Sequence, residues 1–162
     1  MTVQINYKKS GLKKNLTNLV LFVDEKFNIS ELKKHISTSE FSYIFELLKN
    51  SDLKKDLLVF EINSKRTIFC VSIKKGIKTS DIENLGAKFH SHINYDKKNE
   101  YFVNSDTIRS KFKNFVGYFL HGIKLKSYEF NIYKSKKDKK LVSINIIGNK
   151  NKISFQDQLR FK

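Results

Sequence analysis

Four histidines and one cysteine are the side chains in this sequence with the clearest potential for metal binding or catalysis. His90 and His92 are the closest pair of histidines, but the apolar spacing around them is helical. Residues i and i+2 of a helix point to nearly opposite sides, so one metal ion could not easily bind both. His35 and His121 are isolated, and no HExxH or CxxC motif is present. We expect surface or boundary histidines and no metal site in this chain.

Cys70 is the only cysteine, so no disulfide can form within the chain. It lies in the apolar run Thr67 to Val71, where it is expected to be a small buried hydrophobe and not a nucleophile. No G-x-S-x-G nucleophile motif is present. The single cysteine indicates a reducing compartment, and we see neither a signal-peptide pattern nor an apolar run of membrane-spanning length. We expect a cytoplasmic protein with no membrane partner.

Phosphate binding by backbone N–H groups usually needs closely spaced glycines. The six glycines form neither G-x-G-x-x-G nor G-x-x-x-x-G-K-[ST]. Lys74-Lys75-Gly76 follows a predicted strand and precedes a predicted helix, so a weak anion site is conceivable there. An ordinary strand-to-helix turn is the favoured interpretation.

The formal net charge of +16 allows a nucleic-acid partner, although only three of the 32 basic residues are arginine. Lysine gives charge without the bidentate contacts by which arginine reads bases, so a solvated surface is favoured. The densest basic segment lies beside the aromatic residues Tyr128, Phe130 and Tyr133. Its candidate anion or nucleic-acid contacts are Lys134, Lys136, Lys137, Lys139 and Lys140.

Alternating strands and helices are predicted from the hydrophobic periodicity. The predicted strands are Val3 to Tyr7, Asn18 to Asp24, Leu57 to Ile62, Thr67 to Ile73, Tyr101 to Val103, Tyr128 to Tyr133 and Leu141 to Ile147. The predicted helices are Ser39 to Lys49 with Ser37 or Ser39 as cap, one opened by a Ser80–Glu83 capping box, and one from Ser105 or Asp106 to about Leu120 with Gly122 after its end. This order and length predict one three-layer α/β domain, a mixed sheet flanked by helices.

Residues 122–134 have the pattern G-x-x-L-x-x-Y-x-F-x-x-Y-K, which resembles a segment of the N-terminal domain of the leucyl aminopeptidase family of two-metal exopeptidases. The fixed positions are Gly122, Leu125, Tyr128, Phe130, Tyr133 and Lys134. Asp81 to Ala87 also looks like a helix of that domain. Where the family has a glycine-rich strand end, this chain has Val71 to Gly76. The matched residues are expected to be packing residues at a helix–strand corner.

The resemblance implies a macro-domain-like fold over residues 1–150, followed by the start of a linker helix over residues 151–162. It implies that the catalytic residues and two divalent metals, zinc or manganese, belong to a C-terminal domain, so this chain would have no cofactor. The partners would be that catalytic domain and neighbouring subunits of a homo-hexamer. Two alternatives remain open, namely a basic module that binds nucleic acid such as DNA and a macro-like domain that binds a nucleotide or ADP-ribose.

Overall fold

The computed structural model describes residues 2–7, 18–93, 100–108, 114–132 and 141–147. The described strands are β1 Thr2–Tyr7, β2 Asn18–Asp24, β3 Leu57–Asn63, β4 Arg66–Ile73, β5 Glu100–Asn104 and β6 Leu141–Ile147. The described α-helices are α1 Thr38–Leu48, α2 Thr79–His90 and α3 Phe115–Ile132, with short 3-10 helices at Ser30–Lys34 and Ser105–Thr107. The linker helix predicted to start within residues 151–162 and the predicted domain boundary after residue 150 lie outside these residues.

The six strands form one sheet in the order β1-β6-β5-β2-β4-β3. All neighbouring strands run parallel except β3, which is antiparallel to β4. Strands β3 and β4 therefore form a hairpin, and its antiparallel pairing confirms the predicted mixed sheet. The continuous apolar run of β2 is buried on both faces of the sheet, as such a run predicts.

Helices cover both faces of the sheet, which confirms the predicted three layers. On one face, apolar side chains of α2 and α3 pack against β2, β4 and β6 around Phe22, Phe89 and Phe119. On the other face, α1 and the 3-10 helix Ser30–Lys34 contribute Ile44 and Leu32 to a second cluster with β2 and β4. The helix predicted in this part of the sequence is confirmed as α2, and its buried apolar residues Ile82, Leu85 and Phe89 lie in the first cluster.

A buried ion pair fixes the start of α1 to the β3–β4 hairpin. Ser37 caps α1 and forms a capping box with Glu40, so this predicted cap is confirmed. The Arg66 guanidinium donates to both carboxylate oxygens of Glu40, and both residues are buried. Burial alone would raise the pKa of Glu40, but the hydrogen bonds from Ser37 and Arg66 outweigh it and lower that pKa.

The third helix differs from the prediction at both ends. Its predicted start at Ser105 or Asp106 is wrong, because Ser105–Thr107 is a 3-10 helix and α3 begins at Phe115. Its predicted end near Leu120 is also wrong, because α3 continues to Ile132. The strand predicted from Tyr128 is thus helix as far as it is described. Extending an existing helix adds one hydrogen bond per residue, which outweighs a weak strand preference.

Apolar and polar residues alternate along β6. Val142, Ile144 and Ile146 face the core, but the polar residues of the opposite face are not all exposed to solvent. Asn145 is only 1% exposed, and Asn6 on the neighbouring strand β1 donates its amide to the Asn145 Oδ1 at 3.2 Å. Asn145, a polar residue that alternates with apolar ones along the strand, is therefore buried.

Candidate functional site

The residues of the matched segment lie mostly on α3. Gly122, Leu125 and Tyr128 are helical, and the backbone of Phe130 belongs to the same helix. The helix–strand corner predicted at this place is therefore wrong for the described part. Tyr133 and Lys134 lie outside the described residues, and so do Lys136, Lys137, Lys139 and Lys140.

Gly122 has a packing role inside α3 and does not end the helix as predicted. A Cβ at Gly122 would overlap the backbone carbonyl of Glu83 on α2. Gly86 on α2 is its counterpart, because a Cβ there would overlap the carbonyl oxygen of Phe119 on α3. Together the two glycines allow the backbones of α2 and α3 to approach closely. This tertiary contact outweighs the helix-breaking tendency of Gly122.

Leu125 and Tyr128 are exposed, so the expectation that they are packing residues is wrong. Leu125 is 48% exposed and Tyr128 is 64% exposed. Because they are three residues apart on a helix, they lie side by side on one face. Lys124 lies four residues before Tyr128 and therefore on the same side of the helix. The result is an accessible apolar and aromatic strip with a cationic neighbour at the C-terminal part of α3.

The Lys74-Lys75-Gly76 turn borders an open cleft of about 260 Å³ between β4 and α2. Gly76 has φ +71°, which explains the glycine in this turn. Asp56 lies in the cleft and binds both Lys74, at 3.2 Å, and Lys88. The bond from Lys88 is the main cause that lowers the pKa of Asp56. Two of the lysines that line this cleft therefore share the Asp56 carboxylate as their partner.

The N-terminus of α2, next to the same cleft, is also bonded to the protein's own carboxylate. The predicted capping box of Ser80 and Glu83 is wrong, since the helix begins at Thr79 after Lys78. The carboxylate of Asp81 accepts from the backbone N–H of Lys78 at 3.0 Å. A negative side chain at this end already interacts favourably with the helix dipole. An incoming anion would compete with it, so the favoured interpretation of an ordinary turn fits the geometry.

In open α/β sheets, ligands usually bind beyond the carboxyl ends of the strands where the strand order reverses. Here that place lies between β2 and β5, and the 3-10 helix Ser105–Thr107 fills it. The Thr107 hydroxyl accepts from the Phe22 N–H at 2.9 Å and donates to the Asn104 carbonyl at 2.8 Å. The Ser105 hydroxyl donates to the Ile147 carbonyl at 2.9 Å. These buried bonds attach the 3-10 helix to β2, β5 and β6.

His35 lies at the border of this filled crevice. Its Nδ1 is 3.1 Å from the Nδ2 of Asn104. Because an amide nitrogen only donates, the bond requires an unprotonated Nδ1. Burial lowers the pKa of His35, an effect that Asp106 opposes and Lys34 reinforces. The His35 imidazole is therefore neutral and is held by its hydrogen bond with Asn104.

The remaining histidines are distributed over α2 and α3. His90 is buried, contrary to the expected surface or boundary position, and burial together with Lys126 lowers its pKa. His92 is exposed, and the Nδ1 of His121 lies 3.1 Å from a carboxylate oxygen of Glu83. Within the described ranges, no three His, Cys, Asp or Glu side chains come together in a way that could hold a metal ion.

Cys70 is a buried strand residue, as predicted. Its side chain is fully enclosed in the cluster beneath α1, and burial raises the pKa of the thiol to about 12. A thiol with this pKa is not ionised near neutral pH, so it is not a nucleophile in the folded protein.

The fold is that of a macro-domain-like α/β domain with a mixed six-stranded sheet. No protein-family model matches the sequence, and no curated protein matches it. A tomato leucine aminopeptidase is similar in structure, with a TM-score of 0.64 and 16% identity over 99% of this chain and 35% of that one. A leucyl aminopeptidase from Leishmania major gives a TM-score of 0.50 and 8% identity over 90% of this chain and 29% of that one.

A macrodomain of Thermus aquaticus DarG is also similar, with a TM-score of 0.56 and 10% identity. The similarity covers 91% of this chain and 100% of that one. This chain spans about a third of the length of the two aminopeptidases. None of the helices within the described ranges has the length and apolarity needed to cross a membrane.

Proposed function

We propose that this chain is a non-catalytic accessory domain of a cytoplasmic leucyl aminopeptidase. The observation that carries the proposal is the similarity of 99% of this chain to about a third of the tomato enzyme, at a TM-score of 0.64. In this proposal, the catalytic domain with its two zinc or manganese ions is the partner of this chain, and residues 151–162 lead towards it. Neighbouring subunits of a homo-hexamer would be further partners.

The geometry of the candidate sites is consistent with an accessory role. The lysines Lys74 and Lys88 are paired with Asp56, and the crevice between β2 and β5 is filled by the chain itself. Several apolar side chains on α1 and α3, by contrast, are exposed to solvent. Such surfaces are typical of domains that dock onto others. By narrowing the access to a catalytic domain, an accessory domain could favour short peptides over folded proteins.

Two measurements test this proposal. The purified chain should not hydrolyse leucine amide with Mn²⁺ or Zn²⁺, under conditions in which a complete leucyl aminopeptidase is active. An antibody against the chain should detect a native protein far larger than 19.1 kDa in source cells. Metal-dependent turnover by the pure chain, or a native band at 19.1 kDa, would contradict it.

A nucleic-acid-binding module is a second candidate, and the exposed strip on α3 favours it. Exposed aromatic rings beside lysines can stack on unpaired bases while the lysines contact phosphates. Tyr128 with Lys124, one helical turn before it, has this composition, in a chain with net charge +16. The Lys134 to Lys140 segment would add basic contacts.

Binding of a labelled single-stranded oligonucleotide, measured over a salt series, tests this second candidate. Affinity should fall steeply with salt, because released counterions drive the binding. Tyr128→Ala should weaken binding by about tenfold, since stacking contributes about 1–3 kcal/mol per base. Tyr43→Ala, at an exposed tyrosine on α1, is the matched control and should have no effect. Equal effects of the two substitutions, or no binding at low salt, would contradict the candidate.

A nucleotide or ADP-ribose ligand has less support. It rests on the macrodomain likeness alone, and fold does not imply function. A thermal-shift measurement with ADP-ribose tests it, because a ligand that binds only the native state must raise the unfolding temperature.

A further inference from the structure

Among the strands that the structure describes, β3 is at one outer edge of the sheet, and its hydrogen-bonding pattern shows which backbone groups face outward. The Ser72 N–H donates to the Asp56 carbonyl at 2.9 Å, just before β3. Alternate residues of an antiparallel strand bond the same neighbour, so Leu58 and Phe60 bond to β4 opposite Cys70 and Ile68. The N–H and C=O groups of Leu57, Val59 and Glu61 therefore point away from β4.

This outward row is accessible to another strand. Val59 is 37% exposed, and Glu61 is exposed as well. The Tyr43 hydroxyl donates to the Glu61 carbonyl at 3.4 Å, which agrees with the outward direction of that carbonyl. A carbonyl oxygen has two lone pairs, so it can accept a second donor. The strand also lacks the proline and lysine residues that commonly protect sheet edges from pairing.

The charge distribution favours contact at this edge between two copies of the chain. The chain has 32 basic residues and a net charge of +16, so most contacts between copies would oppose lysine to lysine. Neither α1 nor β3 contains a basic residue. The exposed apolar residues Tyr43 and Leu47 lie one helical turn apart on α1, on the side of the helix that reaches β3 through Tyr43. Lys33 and Lys49 lie over the rings of Phe41 and Phe45 on α1, but two paired β3 strands oppose no lysine to lysine within the strands.

We propose that β3 pairs antiparallel with β3 of a second copy about a two-fold axis, which joins two sheets into one. The pairing places Val59 opposite Val59 of the other copy and Leu57 opposite its Glu61. All three outward residues then form hydrogen-bonded pairs, with about six bonds in total. If the two-fold axis lay at Leu58, Glu61 would have to pair with Lys55 of the other copy, which is outside the strand. If the axis lay at Phe60, Leu57 would have to pair with Asn63, which lies beyond the irregularity between Glu61 and Asn63.

The mass of the chain in solution is the first test. Analytical ultracentrifugation over a concentration series should give a species of twice 19.1 kDa that replaces the monomer as concentration rises. Val59→Pro removes only an N–H that points away from β4, so it should leave the hairpin folded and shift the equilibrium to monomer. A circular dichroism spectrum equal to that of the original chain confirms that the variant is folded.

Disulfide crosslinking tests the register directly. Hydrogen-bonded pairs have Cα atoms about 5.5 Å apart, which suits a disulfide. Val59→Cys should therefore crosslink to its own copy under mild oxidation, while the buried Cys70 stays unreacted. Glu61→Cys is the matched control on the same exposed edge. In the proposed dimer, position 61 of one copy lies four residues along the strand from position 61 of the other. The two thiols would be more than about 10 Å apart and should not crosslink.

Three results would overturn the proposal. The first is a monomer at every concentration of the original chain. The second is a ladder of larger species, which would indicate head-to-tail pairing and not a closed two-fold dimer. The third is equal crosslinking of Val59→Cys and Glu61→Cys, because it would show contact without the proposed register.

Discussion

Gly122 of α3 lies directly against the backbone of Glu83 of α2, with no room for a side chain between them. A Cβ at Gly122 would lie 2.7 Å from the carbonyl carbon of Glu83, closer than real Cβ contacts. The obstacle is backbone, which cannot rotate away as a flexible side chain could. This contact and its counterpart between Gly86 and Phe119 fix the distance between the two helices that cover one face of the sheet.

The first prediction concerns this helix contact. Gly122→Ala should destabilise the protein by about 1–3 kcal/mol, because the added methyl group forces α2 and α3 apart. The result would be opposite to the usual gain from replacing glycine by alanine within a helix. Urea denaturation measures the change as a lower midpoint. Lys126→Ala, at an exposed position of the same helix, should change stability by less than about 0.5 kcal/mol. A stabilised Gly122→Ala variant would show that the helices are not in this contact.

The second prediction concerns the buried pair of Arg66 and Glu40. Arg66→Ala should destabilise the protein by about 3–5 kcal/mol, because it leaves the Glu40 carboxylate buried without its cation. Lys65→Ala, at the neighbouring exposed position of the same turn, should have little effect.

A double-mutant cycle with Glu40→Ala separates the interaction energy of Arg66 and Glu40 from the stability that each substitution loses for other reasons. If the pair acts as a unit, the double variant should be much less destabilised than the sum of the two single variants. Simple additivity would contradict the proposed coupling between the hairpin and the start of α1.

The third prediction concerns pH. Burial lowers the pKa of both His35 and His90 from the ordinary value of 6.5. The unfolded chain therefore binds more protons than the folded one as pH falls through 6.5, so the free energy of unfolding should decrease there. It should be highest above pH 6.5, and the loss should level off below the folded-state values.

Urea denaturation at a series of pH values measures this effect, and His90→Gln should remove part of the slope. Asn84→Gln, on the exposed face of the same helix, should retain the full slope. The pKa values of the Glu40 and Asp56 carboxylates are lowered in the folded protein. Their protonation should therefore cause a separate loss of folding stability only in more acidic solution. A stability that rose as the pH fell through 6.5 would contradict the burial of these histidines.

The fourth prediction concerns Cys70. Because burial raises the pKa of its thiol to about 12, a thiol reagent should react with the folded chain only as fast as the protein opens. The rate should increase steeply with added urea. Glu61→Cys adds an exposed thiol, and that variant should react at once with one equivalent of reagent. Immediate reaction of the original chain would show that Cys70 is accessible.

Local periodicity was sufficient to predict much of this fold. The apolar run of β2, the hairpin of β3 and β4, and the start of α1 at Ser37 follow from residues close together in sequence. The matched segment of residues 122–134 pointed to the fold of its structural neighbours. It did not reveal that Leu125 and Tyr128 are exposed, because a strand was predicted from Tyr128 and the residues are in a helix. The two structures place the same side chains on different faces.

The sequence by itself determined the order of strands and helices as far as the start of α3, the buried centre of the sheet and the inert position of Cys70. These depend on side-chain hydrophobicity and on periods of a few residues. Only the tertiary structure decided that α3 continues past Gly122, that Ser105–Thr107 bonds to β2 beside β5, and that β3 is the edge strand among those described. Each of these depends on contacts between segments far apart in the chain, where packing outweighs local propensity.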